Sequence, residues 1–164
     1  MDFAALVTRA AAIGEKLKAR GEKVAVSESS SGGLISAALL AIPGASAYYI
    51  AGGVVYTRKA REELLDIPAA ELKGIRSASE PYAALLARTL VRQFGTTWGL
   101  SETGASGPTG NGYGDAPGHS CLAICGPVTK VITLETGHGD RVGNMQAFAA
   151  AGLDLLLQGL QQIA

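Results

Sequence analysis

Hydrophobic positions recur at helical spacing over the first twenty residues: Phe3, Leu6, Val7, Ala10, Ile13 and Leu17 fall on one face. That spacing predicts a helix over Asp2–Arg20, closed by Gly21. The pattern then shortens to an apolar run, Val24–Ser27, which reads as a buried strand. A helix follows over Gly33–Ala41, and Pro43 and Gly44 make a turn. Tyr48–Tyr56, YYIAGGVVY, is β-rich, with Gly52 and Gly53 marking a bulge or a close backbone approach. Neighbouring strand residues face opposite ways, so one of Tyr48 and Tyr49 belongs to the core. A short charged helix is expected around Arg58–Leu65, then a loop with one helical turn over Pro68–Ala78. Ser79, close before Pro81, starts the next helix, which runs to Phe94.

Thr97–Thr103 is the third strand of the pattern. It runs into a Gly/Pro loop, Gly104–His119, which is long for a compact domain. Such a loop is functional or mobile; few of its residues have anything to bury, so Thr109–Pro117 is expected to be the most mobile internal segment. Ser120–Cys125 and Val128–Glu135 read as two more strands. Only Gly126 and Pro127 separate them, which predicts a hairpin. The last helix is expected over Arg141–Gln162, with Phe148, Leu153, Leu156, Leu157 and Leu160 on its apolar side. Helices between strands imply parallel crossovers, and the hairpin imposes an antiparallel strand. The prediction is a three-layer α/β/α sandwich on a mixed, mostly parallel sheet of about five strands, with residues 1–164 forming one domain.

The chain has 164 residues, 48% apolar and 17% charged, with no formal net charge. That is enough to bury a core without disulfides. It carries no Lys/Arg cluster or aromatic ladder, which argues against nucleic acid as its main partner. Cys121 and Cys125 lie in an apolar strand and read as buried small hydrophobes. With His119 and His138 they do not make a metal signature, and neither metal nor cofactor is expected. Asp2, Arg9, Glu15 and Lys16 interrupt any signal-peptide core. No run approaches the ~18 apolar residues of a membrane span. The cytoplasm is the expected compartment.

The chemistry-bearing residues gather in four places. After the first strand comes SESSSGG, Ser27–Gly33, where capping of the next helix accounts for only one hydroxyl. In open α/β sheets ligands bind beyond the carboxyl ends of strands. A helix N-terminus there offers unpaired N–H groups that suit a phosphate or carboxylate, and glycines let the backbone come close. The other three are YTRKAR (Tyr56–Arg61), TGASGP (Thr103–Pro108) and GDR (Gly139–Arg141). Three of the four follow strands, so they are expected to meet at one rim. A hydroxyl nucleophile needs a nearby base, yet these motifs hold no histidine, and Lys59 is one helical step from the best position. The residues themselves therefore predict a small-ligand pocket with serine, tyrosine and arginines. Tyr113 is a candidate to close over a ligand. His119 is a candidate base, or else a strand-edge histidine bonded to backbone.

These motifs, in this order, resemble those of the CinA C-terminal domain family, which carries nicotinamide-nucleotide amidase activity. The family's AESCTGG is similar to Ser27–Gly33, its PGSSAYF to Pro43–Tyr49, its YSNEAK to Tyr56–Arg61 and its TGIAGP to Thr103–Pro108. Its late GDR stands at Gly139–Arg141. The resemblance implies hydrolysis of the carboxamide of nicotinamide mononucleotide to nicotinate mononucleotide and ammonia, on a mixed five-stranded sheet. It places the nucleophile at Ser29, pocket hydroxyls at Tyr56 and Thr103, and a substrate-binding arginine at Arg141. Further substrate contacts are expected from Glu28, Ser30, Ser31, Gly32 and Gly33, from Arg58, and from Gly104, Ser106 and Gly107. Family members are commonly oligomers, and the Leu-rich last helix permits such an interface.

Three positions and one loop depart from the family pattern. Arg61 stands where the family has its catalytic lysine, and arginine cannot give up its proton to become a neutral base. Arg58 replaces an asparagine, and Met145 falls where a second arginine is expected. The loop TGNGYGDAPGH is not the usual acidic linker. Two functions remain open on this sequence, beside a purely structural or partner-binding role. One is a serine amidohydrolase acting on a pyridine nucleotide. The other is a non-catalytic or altered-specificity relative that holds a nucleotide or other anion through Arg58, Arg61 and Arg141.

Overall fold

A computed structural model describes residues 1–163. The chain runs α1 (Phe3–Arg20), β1 (Val24–Glu28), α2 (Leu34–Leu40), β2 (Tyr49–Val54), α3 (Arg58–Leu65), α4 (Glu80–Phe94), β3 (Trp98–Ala105), β4 (His119–Cys125), β5 (Lys130–Glu135) and α5 (Arg141–Gln162). Single 3₁₀ turns lie at Ala45–Ala47 and Ala69–Leu72. Helix ends are set by local chemistry. Asp2 Oδ1 accepts from Ala5 N–H at 3.0 Å, Thr57 Oγ1 from Ala60 N–H at 3.1 Å and Ser79 Oγ from Tyr82 N–H at 3.3 Å. Gly21 and Gly95 close α1 and α4 at positive φ.

The sheet order is β2-β1-β3-β4-β5. β1 pairs parallel with both β2 and β3, and β4 is antiparallel to both its neighbours. Four strands therefore share one direction. From β1 the chain first adds β2 on one side and later β3 on the other. The crossovers then fall on opposite faces, and the carboxyl ends of β1, β2 and β3 meet at a switch in strand order, where such sheets hold ligands.

Both faces of the sheet are buried at β1, β3 and β4, and strand alternation divides their residues between them. Val24, Val26, Leu100, Leu122 and Ile124 pack with Leu6, Ile13, Leu39, Leu153 and Leu156 of α1, α2 and α5. Ala25 faces the other way, toward Tyr82, Leu86 and Leu90 of α4. The α4 side is narrow: Cys121 and Ala123 meet Ala83 and Ala87. A Cβ on Gly99 would run into the Ala87 carbonyl. Cys121 is buried and Cys125 partly so, both as free thiols, and burial pushes the Cys121 thiol up from its usual pKa. Trp98 is fully buried and donates its indole N–H to Glu22 at 2.7 Å.

Two details differ from the sequence pattern. The bulge between β1 and β2 lies at Ile50, where the register steps from Val24↔Tyr49 to Ala25↔Ala51. Gly52 is instead a close approach, since a Cβ there would strike the Tyr49 hydroxyl. The β4–β5 connection has four residues rather than two, because pairing ends at Ile124↔Lys130 and Val128 turns into the apolar core. Of the adjacent tyrosines, Tyr48 is the fully buried one. Among the described residues, no helix is long and apolar enough to cross a membrane.

Candidate active site

A cleft of about 1070 Å³ opens at the carboxyl ends of β1, β2 and β3. It is lined by Ser29 from the turn after β1, Tyr56 from the turn after β2, Arg58 and Arg61 from α3, and Thr103 and Gly104 from β3. The fold thus brings three separate sequence motifs to one wall, as expected from their places after parallel strands. Arg141 stands at the edge. Its guanidinium donates to the Gly107 carbonyl and, at 3.2 Å, to the Tyr56 hydroxyl. It ties the TGASGP turn to the mouth of the cleft.

The serine run serves a different purpose from the one its composition suggests. Glu28, Ser30 and Ser31 are buried and do not line the cleft. The Glu28 carboxylate accepts the N–H groups of Ile35 and Ser36, each at 2.9 Å. These are the first-turn donors of α2, so its positive end already has an anion and is not open to a phosphate. Gly32 and Gly33 have φ of +67° and +97°, which fold the chain back so that Glu28 can reach the helix. Ser106 and Gly107 are also buried. The Ser106 carbonyl accepts from Asn144 at 2.8 Å, and a Cβ on Gly107 would meet the Gly139 carbonyl at 2.9 Å. Substrate contacts expected from Glu28, Ser30, Ser31, Ser106 and Gly107 thus fall on residues that build the turns behind the cleft.

At the centre of that support is Glu102, which sequence reasoning left out. Fully buried on β3, it accepts Ser29 N–H at 3.0 Å and Ser31 N–H at 2.9 Å. It also accepts the hydroxyls of Ser30, Ser31 and Ser120 at 2.5, 2.9 and 2.9 Å. One carboxylate therefore fixes the backbone on both sides of Ser30 and holds Ser29 at the cleft wall. An acid inside the buried strand TWGLSET was the available signal.

Val55, Thr57, Tyr82 and residues from the segments 69–78 and 111–113 supply the rest of the lining, including Lys73, Arg76, Asn111 and Tyr113. With Arg58 and Arg61 this makes four cations on the cleft and, among the described residues, no carboxylate. Two of the four are engaged. Arg58 pairs with Glu62 at 2.9 Å, and Arg76 bonds Asp115 at 2.7 and 3.0 Å. Arg61 sits 5.8 Å from the centroid of the Tyr82 ring, and its Nε is buried with no acceptor. A buried donor without a partner is costly, by about 1–3 kcal/mol.

Ala78 lines the cleft with φ of +54°, a left-handed conformation that a residue with a Cβ rarely adopts. It is held from both sides. Its N–H donates to Thr103 Oγ1 at 3.2 Å, and its carbonyl accepts from His119 Nε2 at 2.8 Å. The other His119 nitrogen bonds Glu135. Two acceptors on two ring nitrogens select the imidazolium, so His119 is a structural cation and not a base. Burial pulls its pKa down, but the bonds to Glu135 and Ala78 and the nearby Asp115 charge outweigh this and leave it raised above 6.5. A raised value means that its contribution to stability is complete below the unfolded pKa and is lost as pH rises through the folded one. The unfolding free energy of the parent minus that of His119→Gln, from about pH 5 to about pH 9, is expected to be greatest at the acid end and to shrink upward. A difference that stays flat or grows with pH contradicts the imidazolium assignment.

Comparison with known proteins agrees with this architecture. A family model described as the CinA C-terminal domain matches residues 7–160. A CinA-like protein of Anaeromyxobacter sp. (strain K) is 39% identical over 140 residues, covering 84% of this chain and 34% of that protein. Another, from Chlorobium limicola, is 34% identical over 157 residues, covering 92% of this chain and 36% of its own. The chain thus spans about a third of the length of the curated relatives it matches. The crystal structure of a CinA superfamily protein from Escherichia coli superposes with TM-score 0.86 at 24% identity, covering 96% of this chain and 92% of the other. The competence/damage inducible protein CihA from Agrobacterium tumefaciens gives TM-score 0.84 at 26% identity, covering 96% of each. The fold is that of an α/β/α domain with a cleft at the strand-order switch. The chain belongs to the CinA C-terminal domain family.

Proposed function

We propose that the cleft binds a phosphorylated pyridine nucleotide and that Ser29 attacks its carboxamide, converting nicotinamide mononucleotide and water to nicotinate mononucleotide and ammonia. The observation that carries this reading is the convergence of Ser29 and Thr103 with Arg61, whose Nε has no protein acceptor, on one cation-lined cleft. Arg61 and Lys73 have no carboxylate partner among the described residues, and both suit a phosphate or the developing amide oxyanion. The reaction forms a Ser29 ester with loss of ammonia, and water then releases the acid. Arg61 can stabilise charge in both steps but cannot take the serine proton, so turnover is expected to be slow. The same feature favours a second reading, a relative that holds a nucleotide or other anionic ligand without catalysis.

The test is ammonia release with nicotinamide mononucleotide, run beside calorimetric binding of the same compound. Slow release that Ser29→Ala abolishes supports the amidase. Binding without any release supports the second reading. Neither binding nor release removes the pyridine nucleotide from both.

A further inference from the structure

The loop between β3 and β4 is built rather than loose. Asn111 Oδ1 accepts the N–H groups of Tyr113 at 3.0 Å and Asp115 at 3.2 Å, and Asn111 N–H donates back to the Asp115 carbonyl at 3.2 Å. Asp115 is in turn gripped by Arg76, whose hydrogen bond holds its carboxyl below the usual carboxylate range. Arg76 also donates to the carbonyls of Ser77 and Ala78, at 3.1 and 3.4 Å. Its guanidinium lies 5.3 Å from the centroid of the Tyr113 ring. One face of that ring is therefore covered. Yet Tyr113 is 54% exposed and lines the same cleft as Ser29 and Arg61, so its other face is open.

We propose that Tyr113 is the stacking platform for the ligand's planar heterocycle, and that its loop is a fixed wall of the site. This rests on the nucleotide reading above. A flat aromatic face at the border of a phosphate-binding cleft takes a ring, because every heterocycle has a π-face and stacking requires no hydrogen-bond match. The charge behind the platform sets which ring. A bare guanidinium would draw electron density away from the open face, but Asp115 neutralises Arg76, so that face keeps its negative character. It suits an electron-poor, positively charged pyridinium. The Asn111 turn positions the ring before ligand arrives, so little ordering entropy is lost on binding.

The experiment is titration calorimetry in the Ser29→Ala background, where nothing is turned over, with nicotinamide mononucleotide and ribose 5-phosphate as probes. Tyr113→Ala and Tyr113→Leu are expected to weaken the nucleotide about tenfold, with ribose 5-phosphate unchanged within about twofold and Tyr113→Phe close to the parent. Thermal melts of each variant check that the fold is kept, and Tyr113→Leu preserves bulk if Tyr113→Ala does not fold. The platform is overturned if the folded Leu variant binds the nucleotide as the parent does, or weakens both probes equally. A parent that ignores nicotinamide mononucleotide but binds adenosine monophosphate in a Tyr113-dependent way keeps the platform and overturns the pyridine reading.

Discussion

Arg61→Lys is expected to raise ammonia release from nicotinamide mononucleotide by up to about 10²–10⁴-fold, the usual worth of a general base. A guanidinium stays protonated at any pH a protein tolerates, whereas an amine at the same position can lose its proton. The surroundings favour that loss. The position is partly buried against the Tyr82 ring, and Arg58, Lys73 and Arg76 line the same cleft. Both burial and like charge lower a lysine pKa. Some of the gain is offset because lysine is shorter and lacks the forked head. Ser29→Ala in the Arg61→Lys background should remove all of it. Initial rates of ammonia release from the parent, Arg61→Lys and the double variant check this. If the parent is already fast and Arg61→Lys slows it, the base lies elsewhere. His119 is excluded by its two acceptors, which leaves Lys73 as the amine on the cleft wall.

Glu102→Ala is expected to destabilise the protein by about 3–5 kcal/mol, since each buried donor left without an acceptor costs ~1–3 kcal/mol. Three of its donors, Ser29 N–H, Ser31 N–H and the Ser30 hydroxyl, have no replacement acceptor among the described residues, while the hydroxyl of Ser31 still reaches Glu28 at 2.8 Å and that of Ser120 the Thr103 carbonyl at 3.3 Å. For a chain of this length the midpoint should fall by roughly 10 °C. Glu102→Gln should be far milder, at under about 2 kcal/mol. The two N–H groups converge on Oε2, where an amide oxygen can stand. Only hydroxyls meet Oε1, and hydroxyls can turn to accept from an amide nitrogen. Thermal and denaturant unfolding of both variants measure this. If Glu102→Ala melts with the parent, the turn does not depend on Glu102.

The contrast between Glu102 and Ser29 shows where sequence reasoning stopped. SESSSGG announces itself locally, because four hydroxyls, an acid and two glycines between a strand and a helix are visible without a fold. Which of those hydroxyls faces a ligand is not local. Glu102 is 71 residues from Ser31 in the chain, and its carboxylate turns Ser30 and Ser31 inward while Ser29 remains at the cleft. The same holds for the helix N-terminus. Its donors look free from the sequence, but Glu28, seven residues before Ile35, already accepts them.

The sequence by itself determined the order of helices and strands, because period, caps and glycine stops are set by neighbours within a few residues. It determined the three-layer class as well, since a helix between two strands has one handed way back to the sheet. The motif match also carried Ser29, Tyr56, Arg61 and Thr103 to one place. Tertiary structure alone decided the other wall. Lys73 and Arg76 lie in what reads as a linker, and Tyr113 in what reads as a slack loop. They reach the cleft only because Asp115, Asn111 and His119 tie the two segments together across the carboxyl end of the sheet. Those ties join residues up to 41 apart in sequence, and a hydrogen bond of that span leaves no periodic trace in the chain.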